Sequence, residues 1–95
     1  MTIRGTTMFR MWGKVWKNNH LLKDTVIEIS DFSLTRTQMI FQALENICLE
    51  FDLEQPIWLE SNINEFKRHD KTRFHQDNFI EVLDFQYLEI QIIEE

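Results

Sequence analysis

One cysteine, one proline and two glycines are all that the 95 residues hold of the three types that most constrain a backbone. A lone Cys48 cannot close an intramolecular disulfide, which excludes a disulfide-stapled scaffold. So little glycine and proline excludes a collagen-like or low-complexity chain. It also leaves few positions where backbone N–H groups could cradle a phosphate. No stretch approaches the ~20 consecutive apolar residues that span a bilayer. The opening MTIRGTTMFRMW has no continuous apolar run of the kind a secretory signal requires. These absences favour a cytosolic protein away from membranes. GxSxG, P-loop and GxGxxG patterns are missing too, as is any familiar spacing of cysteine and histidine. No catalytic set and no cofactor are therefore expected.

What is present is a foldable chain. At 43% hydrophobic and 13% aromatic residues, it has enough apolar surface to enclose one core. A single domain over residues 8–95 is expected, with residues 1–7, MTIRGTT, reading as a loose arm. The net charge of −6 is unevenly spread. Residues 1–23 carry five basic groups and no acid, and residues 24–66 carry nine acids against Arg36. KRHDKTRFH, residues 67–75, is basic again, and residues 76–95 hold six acids and no lysine or arginine. Such alternation points first to charge pairs within the fold.

The stretch FRMWGKVWK, residues 9–17, interleaves aromatic and basic side chains, and LKDTVIEI, residues 22–29, alternates with β-branched residues. Together they read as a β-hairpin. A three-residue loop at 18–20 sets Lys17 against Leu21, Trp16 against Leu22, Lys14 against Asp24, Trp12 against Val26 and Arg10 against Glu28. The other face then holds Phe9, Met11, Ile27 and Ile29. Loops one residue shorter or longer lose the opposed charges, which stabilise a cross-strand pair by ~0.2–1 kcal/mol. A helix follows, because Thr35 and Gln38 form a capping box and Met39, Ile40, Leu44, Ile47, Cys48 and Phe51 recur at helical spacing. Cys48 on this stripe reads as a small buried residue.

Beyond Pro56, IWLE is a short strand candidate, and Ser61 caps a brief helix over NINEFKR with Ile63 and Phe66 inward. Residues 68–78 read as mostly loop, and FIEVLDF, residues 79–85, is open between helical turn and extended segment. QYLEIQII alternates and should be a strand, with Leu88, Ile90 and Ile92 on one face. The expected fold is α+β: a two-layer sandwich with an N-terminal β-hairpin, one long helix and a four-stranded, mostly antiparallel sheet.

Two clusters invite a site. His69, Asp70, His75 and Asp77 are potential metal ligands, yet zinc sites draw on pairs held on rigid elements or on cysteines, so a solvated loop is the simpler reading and no metal is expected. Lys67, Arg68, Lys71 and Arg73, interleaved with Phe74, could contact phosphates while Phe74 stacks on a base. The simpler reading pairs these cations with nearby acids and sends Phe74 into the core. RMWGKVWKNNHLLKDTVIE, PIWLESNINEFKRHDKTRFHQDNFIE and DFQYLEIQIIEE together resemble a family of short uncharacterised bacterial proteins, a resemblance that implies no activity and no residue role. The sequence thus points to a non-catalytic protein-interaction domain. Trp12, Trp16, Leu22 and Val26 would form the face that docks a protein partner or a second copy. A small nucleic-acid binder using residues 67–75 is the alternative.

Overall fold

The computed structural model of the chain describes residues 8–31 and 33–95. The arm expected over residues 1–7 lies outside them. Four strands and two α-helices follow in the order β1 (Phe9–Lys17), β2 (His20–Ile29), α1 (Arg36–Phe51), α2 (Glu60–His69), β3 (Lys71–Phe74) and β4 (Tyr87–Glu94). The strands form one sheet in the order β2-β1-β4-β3, and every pairing is antiparallel. The α+β class, the hairpin and the four-stranded sheet are as the sequence predicts. Instead of one long helix there are two, the second extending the brief helix expected near Ile63.

Phe9 to Val15 pair with Lys23 to Ile29 in the expected register. The turn differs. Asn18 and Asn19 both adopt left-handed backbone, with φ of 53° and 65°, so the loop has two residues and Lys17 faces His20. Two consecutive positive φ values make the turn whose twist matches that of the flanking strands, and asparagine tolerates them. A bulge between Val15 and Trp16 then restores the register, pairing Trp16 with Leu21 rather than Leu22.

The helices lie on one side of the sheet. Alternation sends Phe9, Met11 and Val15 of β1, Phe74 of β3 and Leu88, Ile90 and Ile92 of β4 toward them, all buried. α1 meets this face with Ile40, Ala43, Leu44, Ile47, Cys48 and Phe51. Thr35 caps it as expected: its hydroxyl accepts the Gln38 N–H at 3.1 Å, and the Gln38 side chain accepts the Thr35 N–H at 2.9 Å. The Asp52 C-cap is left-handed at φ 58°. The close approach of α1 rests on Gly13, where an added Cβ would lie 2.7 Å from Ile47 Cγ2 and 2.9 Å from its Cδ1. Gly13→Ala is expected to cost about 1–3 kcal/mol by overpacking, and Ile47→Val should return part of it. Chemical denaturation of the single and double variants checks this, and additive effects would remove the proposed contact.

The fourth strand is not IWLE but KTRF, inside the segment expected to be loop. Thr72 and Phe74 are buried, whereas Lys71 and Arg73 point outward, so the period of two is present but masked by three polar residues in four. The chain at Ile57 is held by Asn78 instead of a ladder: Ile57 N–H donates to Asn78 O at 2.7 Å, and Asn78 Nδ2 donates to Ile57 O at 2.7 Å. Trp58 packs edge-on against Phe41, Phe66 and Phe74, with ring centroids 5.8, 5.6 and 5.1 Å apart. Residues 79–86 form neither helix nor strand. Phe79 is buried, and Leu83 and Phe85 pack against the same core. No helix among the described residues is long and apolar enough to cross a membrane.

Candidate functional site

The outer face of the sheet, turned away from both helices, carries the residues singled out in FRMWGKVWK. The three strand registers line up one row of four side chains across the whole sheet: Asp24 of β2, Lys14 of β1, Glu89 of β4 and Arg73 of β3. Their charges alternate in sign. Lys14 Nζ lies 3.2 Å from Glu89 Oε1, and Arg73 Nε lies 3.3 Å from Glu89 Oε2. The central pair is enclosed, with side-chain exposures of 10% for Lys14 and 7% for Glu89, although no helix covers it.

Tryptophans form the roof. Lys14 Nζ sits 3.9 Å from the centroid of the Trp12 ring, a cation–π contact. Trp12 Nε1 donates to Asp24 Oδ2 at 2.8 Å, and Trp16 Nε1 donates to Glu89 Oε1 at 3.2 Å. Arg73 spreads over Tyr87 at 4.8 Å. Burial alone would push the Glu89 carboxyl up, but Lys14 and Arg73 outweigh it and hold the group below its ordinary value. Next to this row, Arg10 Nε lies 3.1 Å from carboxylates of both Glu28 and Glu94. These are electrostatic contacts that lack hydrogen-bond alignment, since the same nitrogen has no hydrogen-bond partner among the described residues.

The basic strip is therefore occupied by acids of its own sheet. Lys14 faces Asp24 in register, as expected, yet its ammonium goes to Glu89, a partner on a strand 75 residues further along that hairpin logic could not supply. Toward β2 the face opens: Leu21, Leu22 and Val26 are exposed, beside the half-buried Trp12 and Trp16.

The basic segment 67–75 is divided by the fold. Lys67 and Arg68 end α2, Lys71 and Arg73 lie on β3, and Phe74 is wholly buried against Trp58. Phe74 is thus a core residue with no face to offer a base, and Arg73 is held by Glu89 and Tyr87. His69, Asp70, His75 and Asp77 separate likewise. The Asp70 carboxylate accepts from Arg36 at 3.0 Å, and the His75 ring rests 5.2 Å from that of Tyr87. Among the described residues, no three His, Cys, Asp or Glu side chains gather to hold a metal ion. Arg36 also binds Glu95 at 2.7 Å, and this pairing lifts its pKa against the opposing effect of burial. Cys48 is free and buried, and burial pushes its thiol up to about 12, so it stays protonated and unreactive at neutral pH.

A cleft of about 450 Å³ lies between α2 and the segment after β3, lined by Ser61, Asn62, Glu65, Arg73, His75, Asp77 and Asn78 among others. Its floor is a closed polar network that the sequence reading missed. Asn62 Oδ1 accepts from Leu59 N–H at 3.1 Å and from Asn78 Nδ2 at 2.7 Å. Asn62 Nδ2 donates at 2.9 Å to Thr72 Oγ1 and to Arg73 O. Thr72 donates in turn to Glu65 Oε1 at 2.7 Å. Asn62, Thr72 and Asn78 are all buried. Asn62 therefore does for α2 what Ser61 was expected to do, reaching back from inside the helix to the N–H of Leu59. Ile63, expected inward, is 40% exposed. The only sequence signal was Asn62 sitting four residues before Phe66, on the same helical face. Each of these amides is committed to holding the fold together.

A second, apolar groove of about 320 Å³ runs between α1 and α2, walled by Ile40, Phe41, Trp58, Ile63 and Phe66, with Arg36 and Lys67 on its rim. Trp58 Nε1 is buried there without an acceptor among the described residues. No known protein family, curated protein or solved structure matches the chain, so what its surfaces do is read from their own chemistry.

Proposed function

We propose that the chain is a small, non-catalytic protein-interaction domain of the cytosol whose outer sheet face docks a second copy of itself. One observation carries this reading: both helices cover the same side of the sheet, and the opposite side leaves Leu21, Leu22 and Val26 exposed next to the half-buried Trp12 and Trp16. A two-fold contact lets one such patch cover itself. FIEVLDF does not serve as an internal cover. Ile80 and Glu81 N–H groups are bound by Glu54 at 2.8 and 2.9 Å, and Phe79, Leu83 and Phe85 pack on the helix side.

Sedimentation at several concentrations tests the reading, with a stable dimer expected to bury ~1,200 Å² or more in total. Trp12 holds Lys14 and Asp24, so its replacement would perturb the fold. Leu22→Lys with Val26→Lys is the cleaner variant, since both side chains are exposed and Val26 lies between Asp24 and Glu28 on its own strand. It should no longer pair through the sheet face, sedimenting as a smaller species than the parent at the same concentration, and a parent protein that is itself monomeric at high concentration would sink the proposal. Nucleic-acid binding through residues 67–75 predicts salt-dependent capture of a fluorescent single strand. With Phe74 in the core and Arg73 already held, the expected result at physiological salt is none.

A further inference from the structure

Among the described residues, the two most exposed large apolar side chains lie two positions apart on one loop. Ile80 is 82% and Val82 90% exposed. The backbone beneath them is tightly held. Glu54 accepts the N–H groups of Ile80 and Glu81, while the Gln76 side chain donates to Glu81 O at 2.7 Å and accepts from Leu83 N–H at 2.8 Å. A loop fastened at four backbone groups pays little ordering entropy on docking, and its display of two aliphatic side chains has no role in the core. Four carboxylates, those of Asp52, Glu54, Glu81 and Asp84, line the cleft at its foot, with no cation among that lining.

The groove between α1 and α2 has the opposite character. Its walls are apolar, Phe41 and Ile63 are 48% and 40% exposed, and Lys67 stands on its lip at the basic end of α2, which continues with Arg68 and His69. Arg36 adds no free charge, being balanced by Asp70 and Glu95.

We infer that the Ile80–Val82 loop of one molecule inserts into the α1–α2 groove of a second copy, apolar side chains against Phe41 and Ile63 and acidic foot against Lys67. Loop and groove lie at opposite ends of α1: the groove takes Arg36, Ile40 and Phe41 from its first half, and the loop is tied to Glu54 just past its C-cap. Held by Glu54 and Gln76, the loop leaves Ile80 and Val82 exposed and contributes nothing to the lining of its own groove. The contact joins two different surfaces of the chain, a heterologous interface that propagates wherever the rotation between copies does not close. It is independent of the outer sheet face.

The test is a mixing experiment in the Leu22→Lys, Val26→Lys background, so that only the helix-side contact is read. A loop variant, Ile80→Asp with Val82→Asp, and a groove variant, Ile63→Asp with Lys67→Glu, change exposed positions and should keep the parent's thermal midpoint. The parent should form species beyond the dimer as concentration rises. Each variant alone should be monomeric, with association weakened at least about tenfold. Mixed in equal amounts they should form a one-to-one pair and nothing larger, because one intact loop and one intact groove remain. Separately, Lys67→Glu should weaken association and Glu81→Lys should restore it. A parent that stays monomeric, a variant that associates as the parent does, or a mixture that stays monomeric overturns the inference.

Discussion

Glu89→Gln should destabilise the fold by about 3 kcal/mol at neutral pH, in line with the loss of one partner of an enclosed ion pair. The amide keeps the shape of the side chain but only one of its two end atoms can accept, so the charge is removed and one of the donors now met by Oε1 and Oε2 loses its acceptor. Lys14 is then left 10% exposed facing a neutral group, and Arg73 loses its anchor. The lower end of the usual range applies because the pair is roofed by Trp12 and Trp16 instead of lying deep in the protein. The effect has a definite pH dependence. Glu89 titrates below its ordinary 4.5 in the folded state, so its contribution is fully present above that pH and is lost as pH falls through the lower folded value. The gap between parent and variant in urea midpoints should therefore be widest at neutral pH and shrink below about pH 4.5. Pairing Glu89→Leu with Lys14→Met should recover most of the stability, since apolar replacements leave no stranded charge. A constant gap across pH would refute the alternating row as an electrostatic unit.

Asn62→Ala is expected to cost about 3 kcal/mol or more, although the residue is an amide on a short surface helix. Its removal takes the acceptor from the part-buried Leu59 N–H, one of two acceptors from Asn78 Nδ2, which keeps Ile57 O, and the donor from Thr72 Oγ1 and Arg73 O, buried groups worth about 1–3 kcal/mol each when unsatisfied. Thr72→Val should cost less, near about 1 kcal/mol, because it leaves the Leu59 and Asn78 links intact. Hydrogen exchange at Ile57 and Leu59 gives a local reading: protection there should collapse in Asn62→Ala while α1 keeps its own. A stability loss under about 1 kcal/mol would show that the network is decoration.

Pairings that follow from charge and apolar spacing within a hairpin or helix were legible from sequence, whereas turn geometry and partners brought by distant strands were not. The hairpin register followed from opposed charges within 20 residues, and the α1 stripe and Thr35 cap from spacing alone. Lys14 was legible as paired but not with whom, because the ladder that brings Glu89 to it depends on where β4 inserts. KTRF was hidden because an edge strand with one face outward needs only Thr72 and Phe74 to be buried. IWLE was mistaken for a strand because Trp58 and its neighbours are apolar for another reason, the aromatic cluster with Phe41, Phe66 and Phe74. Asn62 and Asn78 were invisible as core residues, since a buried amide is recognisable only once its hydrogen-bond partners are assembled around it.

The strand order has a consequence in time. β1 sits between β2 and β4, so its second neighbour is the last strand to be synthesised. Between Ile29 and Tyr87 a ribosome adding ~5–20 residues per second needs roughly 3–12 seconds, during which the hairpin waits with β1 as a bare edge. Unpaired edges of alternating apolar residues recruit other chains. Nascent β1 carries Arg10 and Lys14 along that edge, and like charges on two such hairpins repel. The lysine that ends enclosed by Glu89 and Trp12 thus guards the same strand beforehand beside Asp24, and β4 adds Glu89 and Glu94, the carboxylates that turn the open edge into a closed ion-paired row.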